Sequence, residues 1–322
     1  MKNKFEKIKK ELAIITPSYN NGILLKRLYK SVQKQSYKNF IWIIIDDGST
    51  DNTEKIVSNF KIKNLIYIKQ KNLGANAARN KGEKYIPKSC KYVIYIDSDD
   101  TFYNEKSVSE MVNEIKITNN TIGAIGFSSI DSQTRKSENY LVSSPLLVKY
   151  LDTIKAEKFS GEFLSIQKKE IINICPWPEN ISGYEAIRHW EINRFFDYVL
   201  TSKIARVYFR DRKENLTSPE STLRRSQNMA YAIDIILKNH GKIMREVATE
   251  KYSYFLITQG IYYSLSGFTL KSIISILKSL IIQKKLKNKI FSICLLVFNI
   301  LPIFLRKKIY ILIRRKSYKY VL

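Results

Sequence analysis

Acidic residues run out before the end of this 322-residue chain: no Asp or Glu follows Glu250, whereas Lys251 to Leu322 holds 14 Lys and Arg. The formal charge is +26, so the first 250 residues carry the other +12 (26 − 14). A surface this basic attracts phosphates, whether of nucleic acid, anionic lipid or a diphosphate substrate. A generic solvated lysine surface is the alternative. Cysteine is scarce: Cys90, Cys175 and Cys294 are far apart and form no CxxC pair. That excludes a disulfide framework and a cysteine zinc site, and it suits a reducing cytoplasm. His189 and His240 are the only histidines; neither has a second metal-type ligand at useful spacing, so both read as structural or surface residues. GxGxxG and GxxxxGK[ST] are absent, which removes the phosphate cradles of Rossmann dehydrogenases and P-loop ATPases. No recognition-helix or RNA-binding signature accompanies the charge, so no nucleic-acid partner is expected. No long apolar run precedes Pro17, so no signal peptide is expected and localisation reads as cytoplasmic.

What is present is ordinary in bulk: 44% hydrophobic and 26% charged residues allow a sizeable core. Over the first 130 residues strand-like and helix-like segments alternate. Leu12–Thr16, Ile41–Ile45, Leu65–Ile68, Tyr92–Ile96 and Thr121–Phe127 are short apolar runs, as in parallel strands buried on both faces. Helical patterns lie between them, with Leu24, Leu25, Leu28 and Val32 in the first. The alternation predicts an α/β fold with a mostly parallel, doubly wound sheet. Residues 128–144 read as loop, Glu185–Leu200 as a helix, Ala205–Phe209 as a strand, and the chain beyond Ser218 as helical.

Ligands of such sheets bind at the carboxyl ends of the strands. Three strands end in polar clusters: Thr16-Pro17-Ser18-Tyr19-Asn20, Asp46-Asp47-Gly48-Ser49 and Asp97-Ser98-Asp99-Asp100. In a parallel sheet these meet along one edge. Carboxylates two residues apart at a buried strand end repel one another unless a cation joins them. Mg²⁺ or Mn²⁺ takes one or two carboxylates plus substrate phosphates; an Asp-rich surface turn is the alternative.

In the basic tail, Lys271–Leu286 has Ile273, Leu277, Leu280 and Ile281 on one helical face, with lysines elsewhere. Ile290–Leu305 is uncharged but contains Asn299 and Pro302. A span needs roughly 20 apolar residues, and basic amphipathic helices of this kind lie in the membrane interface. The tail is expected to hold the protein peripherally on an anionic membrane surface at the inner face of the cell membrane. A bundle packed on the first domain is the alternative.

The segments TPSYNN at 16–21, IIIDDGSTDNT at 43–53, NLGANAARNKG at 72–82 and YIDSDD at 95–100, in this order and spacing, resemble glycosyltransferase family 2. The resemblance implies an A-type glycosyltransferase fold and an inverting glycosyltransferase. It divides the chain into a nucleotide-sugar-dependent domain at 1–220 and a helical, membrane-associating extension at 221–322. It implies that Pro17, Tyr19 and Asp47 hold the nucleotide base and that Arg79 faces the nucleotide. Asp97 would contact the ribose and donor sugar, and Asp99 would carry Mn²⁺ or Mg²⁺ bridged to the diphosphate. The donor would be a nucleotide sugar, UDP-linked by preference, and the acceptor a saccharide or polyprenyl-diphosphate-linked saccharide of surface polysaccharide synthesis. With no QxxRW motif, single addition is expected rather than processive synthesis. Where the family has an acidic pair as base, this sequence has Glu185 followed by Ala186. On a helix through Leu200, Ile192, Phe196 and Val199 lie within about 40° of Glu185, which turns it inward, whereas Glu191 points about 120° away. Glu185 is therefore the expected catalytic base and Glu179 the runner-up. Trp177 and Trp190 flank it as rings on which a sugar could stack. A catalytically inactive partner subunit is the rival reading within the family, and a basic nucleic-acid-binding protein the rival outside it.

Overall fold

The protein is described by a computed structural model covering residues 9–137, 139–179, 181, 186–210 and 218–318. It divides into two compact units, Met1–Asn180 with Arg188–Asp211, and Ile181–Ile187 with Arg212–Leu322.

The first unit begins with β1 (Leu12–Ser18), α1 (Gly22–Lys34), β2 (Phe40–Asp46), α2 (Thr53–Val57), β3 (Leu65–Lys69), α3 (Ala75–Glu83) and β4 (Tyr92–Tyr95). It continues through β5 (Thr101–Phe102), α4 (Ser107–Lys116), β6 (Ile122–Asp131), β7 (Tyr140–Leu141), β8 (Leu146–Val148) and α5 (Tyr150–Lys155). β9 (Phe159–Ser160), β10 (Leu164–Lys168), α6 (Ile171–Ile174), α7 (Ala186–Asn193) and β11 (Asp197–Tyr208) follow. The main sheet runs β3-β2-β1-β4-β10-β6-β11-β5, with β8 also on β11.

Strands β3, β2, β1 and β4 are parallel. β10 then enters antiparallel to both β4 and β6, and β11 returns parallel to β6. The parallel half carries the strand ends singled out in the sequence. There Ser18 stands opposite Asp46, and Asp46 opposite Lys69.

Side chains alternate across a strand, and here both faces are covered. Leu12, Ile14, Trp42 and Ile44 pack with Leu25, Leu28 and Val32 of α1 and Val108 and Met111 of α4. Ala13, Ile15, Ile41, Ile43 and Ile45 pack with Ala78 of α3 on the other face. α3 sits close: a Cβ added at Gly82 would lie 2.8 Å from Ile15 Cγ2.

Two expectations are corrected here. The stretch 128–144 is not all loop: β6 runs on to Asp131, and β7 falls within it. Its polar side chains bond across strands instead of to water, Ser128 Oγ donating to Thr201 O at 3.0 Å and Ser129 Oγ accepting from Arg206 Nε at 2.8 Å. The helix expected through Leu200 stops at Asn193, whose Nδ2 donates to Phe196 O at 2.9 Å and Val148 O at 3.2 Å as the chain turns. Val199 then pairs with Ile125 in the sheet. Phe196 and Val199 therefore share no helical face with residue 185.

The second unit is helical, as the pattern beyond Ser218 predicts. It holds α8 (Pro219–Arg224), α9 (Ser226–Val247), α10 (Thr249–Leu265), α11 (Thr269–Ile282), α12 (Leu286–Phe298) and α13 (Ile303–Tyr318). The uncharged run 290–305 is split between α12 and α13 at Asn299–Pro302, where proline cannot continue the helix. Among the described residues no helix is long and apolar enough to cross a membrane.

The core argument fixes a stability expectation. Ile43→Ala, in the fully enclosed centre of β2, should cost about 2–5 kcal/mol. Ile117→Ala, at a position 85% exposed, should stay within about 0.5 kcal/mol of wild type. Urea unfolding of both variants checks it, and equal midpoints would contradict the double-sided burial.

Candidate active site at the strand ends

Hydrogen bonds tie the three polar clusters together. After β1 the chain turns at Asn20, at φ 50°. Asn20 N donates to Ser49 Oγ at 2.9 Å, and its Oδ1 accepts from Thr50 N at 2.8 Å. Asn21 Nδ2 donates to Ser98 Oγ at 2.9 Å. Asp46 is fully buried and accepts from Ser49 N and the Tyr67 hydroxyl.

Asp47, also buried, reaches the loop before α3. Its Oδ1 accepts from Gln70 Nε2 at 2.8 Å and Leu73 N at 2.9 Å, and its Oδ2 from Gly74 N at 2.7 Å. Gly74, at φ 93°, caps α3 and has open space where a side chain would stand. A ligand backbone or phosphate can approach there closely.

Pro17 is buried at the end of β1, while the Tyr19 ring beside it is 47% exposed. Ser18 Oγ is buried and makes no hydrogen bond among the described residues.

The acidic cluster follows β4. Asp97 keeps its side chain 44% exposed while accepting from Arg79 Nη2 at 2.9 Å. Arg79 is itself buried and is steadied by Asn76 Oδ1 at 2.9 Å. It is therefore not a solvated surface cation; one edge of its guanidinium is committed to Asp97.

Asp99 is buried, and its carbonyl accepts from the Arg27 guanidinium, which lies over the Phe209 ring. Asp100 pairs with Arg206 Nη1 at 3.2 Å and accepts from Phe209 N at 3.3 Å. Burial raises the Asp100 carboxyl to about 7; Arg206 opposes the rise, while Asp97 and Asp99 add to it by repulsion. Arg206 also reaches Glu162 at 3.3 Å. Sequence reasoning missed Arg206, although a lone cation inside the apolar run Ala205–Phe209 is itself the signal of a buried ion pair.

α3 also grips the segment that leads towards the expected base. Asn76 Nδ2 donates to Pro178 O, while Asn80 exchanges hydrogen bonds with the Trp177 backbone and donates to Glu179 Oε1 at 3.0 Å. Glu185 lies outside the described residues, immediately before α7.

Arg188 in the first turn of α7 is fully buried. It donates to Cys175 O at 2.7 Å and Gln167 Oε1 at 2.8 Å and lies 3.6 Å from Glu83. Arg79 and Arg188 both stand over the Trp177 ring, 4.6 and 4.4 Å from its centroid. Trp177 is thus buried between cations and offers no platform to a sugar, a correction to the stacking expectation. Glu191 pairs with Arg194 at 3.1 Å and is only partly solvated.

No three His, Cys, Asp or Glu side chains converge as a metal cage among the described residues. A hard divalent ion does not require one, because one or two carboxylates suffice when a diphosphate and water complete the octahedron. Asp97 and Asp99 fit that donor set.

A sheet whose parallel half ends in a cluster of carboxylates, one of them held by a buried arginine, is the arrangement expected of a nucleotide-sugar-dependent transferase. Residues 13–172, about half of the chain, match the family model described as Glycosyl transferase family 2. The chain belongs to that family and is a glycosyltransferase.

A curated relative from Campylobacter jejuni, GalNAc(5)-diNAcBac-PP-undecaprenol beta-1,3-glucosyltransferase, is 25% identical over 302 residues, 91% of this chain and 94% of its own. Other relatives, longer bacterial proteins from Rickettsia named only as glycosyltransferases, are spanned over about a quarter of their length. Among solved structures, Staphylococcus aureus TarS 1-349 with UDP-GlcNAc superposes at TM-score 0.61 and 18% identity, covering 84% of this chain and 81% of that one. The mannosyltransferase PcManGT of Pyrobaculum calidifontis, with GDP-Man and Mn²⁺, superposes at 0.54 and 13% identity, covering 95% and 88%. These likenesses establish the fold.

His189 behaves as the sequence reading expects of a structural residue. Its ring sits edge-on between Trp177 and Tyr198. Burial, with help from Arg188 and Arg79, pushes its pKa from 6.5 to about 4. The unfolded chain therefore binds a proton that the folded chain refuses. The associated stability is complete above pH 6.5 and is lost as pH falls to about 4, on the order of 3 kcal/mol in all. His189→Gln should flatten this acid limb in urea titrations at pH 4.5 and 7, and an unchanged limb would show that His189 is not its source.

Proposed function

We propose that this chain transfers a single sugar, with inversion, from a nucleotide sugar, most simply UDP-linked, to a hydroxyl of a saccharide or polyprenyl-diphosphate-linked saccharide. The setting is surface polysaccharide synthesis at the inner face of the cell membrane. The carrying observation is the convergence of Ser18, Tyr19, Asp47, Gly74, Arg79, Asp97 and Asp99 on one edge of a family 2 domain. The UDP-GlcNAc of the TarS structure and the undecaprenol-linked acceptor in the Campylobacter relative's name support donor and acceptor class.

In this reading Pro17 and the exposed Tyr19 ring flank the base, and the spare Ser18 hydroxyl meets the nucleoside. Asp47 acts largely through the loop it clamps, holding Gly74 where the nucleotide passes. Arg79 faces the nucleotide, its positive charge favouring the diphosphate, and orients Asp97 towards ribose and donor sugar. Asp99, with Asp97 beside it, would hold Mn²⁺ or Mg²⁺. When bound, such an ion neutralises the charge that develops on a departing diphosphate. Glu185 takes the proton of the acceptor hydroxyl as it attacks the anomeric carbon from the face opposite the leaving group, and one in-line displacement inverts that carbon.

Asp99→Ala should abolish transfer and remove the Mn²⁺-dependent part of UDP binding. Calorimetry of UDP with and without Mn²⁺ is the check; wild-type affinity in the variant would exclude Asp99 as the ligand. Glu185→Gln should slow transfer by about 10²–10⁴-fold with donor affinity nearly unchanged. If Glu179→Gln is the crippled variant instead, the base is Glu179.

A further inference from the structure

In the second unit α9 and α10 bury apolar side chains such as Ile233, Ile236 and Leu256, but α11 and α12 do the reverse. The side chains that α11 buries are Ser272, Ser275, Ile276 and Ser279, and α12 buries only Ser292. Many of their large apolar side chains face outward: Leu270, Leu277, Ile281, Leu286 and Val297 are exposed, as is Ile300 in the link after α12, Ile281 by 83% and Ile300 by 81%.

The inward polar groups satisfy one another. Ser272 Oγ donates to Gly260 O at 2.7 Å, Ser275 Oγ to Gln259 Oε1 at 2.7 Å and Ser279 Oγ to Ser253 O at 3.1 Å. Gln283 Nε2 reaches both Ser279 Oγ and Ser292 Oγ, at 2.6 and 2.9 Å. Asn299 Nδ2 donates to Ser272 Oγ at 3.0 Å. The buried Arg306 donates to Ser264 O at 3.0 Å and Asn299 Oδ1 at 3.3 Å. A Cβ at Gly260 would come within 2.6 Å of Ile276 Cγ1 and 3.3 Å of Ser272 O, so the bare glycine lets α11 seat closely on α10.

Close contact through small residues, serine hydroxyls as glue and an apolar exterior are how helices pack in hydrocarbon. In water the same sequence would bury its isoleucines and expose its serines. The sequence reading placed Ile273, Leu277, Leu280 and Ile281 on one helical face. The structure leaves Leu277 and Ile281 of that face exposed and Ile273 and Leu280 only half-buried.

Yet α11 and α12 have only 14 and 13 residues. At 1.5 Å per residue neither crosses a hydrocarbon layer of about 30 Å. Residues 269–318 also carry twelve Lys and Arg and no Asp or Glu. That charge repels a second copy of the same surface and complements an anionic one.

We propose that α11 and α12 form a monotopic platform that beds its outward isoleucine and leucine side chains into the surface of an anionic bilayer. The lysines beside them, among them Lys278, Lys284 and Lys285, sit at head-group level. Glycosyl transfer to a lipid-linked acceptor gives this platform its use, but the binding itself rests on the second unit alone.

The test is flotation of the full-length protein with phosphatidylcholine vesicles and with vesicles that also contain phosphatidylglycerol. Binding should be strong on the anionic vesicles, weaker on the neutral ones, and reduced but retained at high salt. Ile281→Glu with Ile300→Glu, both at exposed positions that should leave folding intact, should lower the bound fraction at least about tenfold. Ile117→Glu, in the first unit, should not change it. Hydrolysis of the nucleotide sugar in solution, followed in parallel, should be the same for wild type and the double variant. Failed hydrolysis with intact flotation would count against the transferase reading and still support the platform. Wild-type protein that stays at the bottom of the gradient, or a double variant that floats as well as wild type, would overturn the proposal. So would a dimer or an acidic-protein complex that Ile281→Glu dissolves in light scattering while vesicles are ignored.

Discussion

Strands β1 and β2 are buried along their whole length and on both faces, so polar side chains can gather only where these strands end. The rest of the candidate site follows from that confinement. Asp46 and Asp47 leave β2 with nowhere to reach water, and each turns to backbone and side-chain donors nearby. The three hydrogen bonds to Asp47 set the loop that starts α3, and α3 in turn carries Arg79 to Asp97 and Asn76 and Asn80 to the 177–179 segment. A single buried carboxylate thus positions two further parts of the site through ordinary hydrogen-bond satisfaction.

The acidic cluster divides its charge by burial. Asp97 remains partly in water and shares Arg79, whereas Asp100 is enclosed and leans on Arg206. A buried ion pair adds little net stability, but removing either partner strands a charge. Arg206 and Arg188 are therefore best understood as constraints on geometry: one fixes β11 against the acidic turn, the other anchors the first turn of α7 to the backbone at Cys175. The stacked arrangement of Arg79, Trp177 and Arg188 joins these groups through one aromatic ring.

Two helices of the second unit depart from the way the first unit is packed. In the first, isoleucine and leucine fill the space between sheet and helices. In the second, serine, glutamine, asparagine and one arginine fill part of the interior, and isoleucine and leucine of α11 and α12 remain outside.

Much of this was legible in the chain itself. Continuous apolar runs ending in polar clusters determine buried parallel strands with a shared edge, because no other local structure hides both faces of such a run. The four ordered motifs determine the family, and the uncharged but interrupted stretch 290–305 determines a break rather than a span. The tertiary structure alone decided which of the clustered acids pairs with which arginine. Arg206 and Asp100 are separated by 106 residues, and the β5–β11 pairing, with Arg206 opposite Phe102, brings them together. It likewise decided that Asn193 ends α7, since its amide is captured by Val148 O and Phe196 O, partners that no helical periodicity announces. And it decided the inward face of α11. A helix with isoleucines on one side and serines on another can turn either way; the bonds of the Ser272 and Ser275 hydroxyls to Gly260 O and Gln259 Oε1, with Ile276 seated on Gly260, turn the serine side inward.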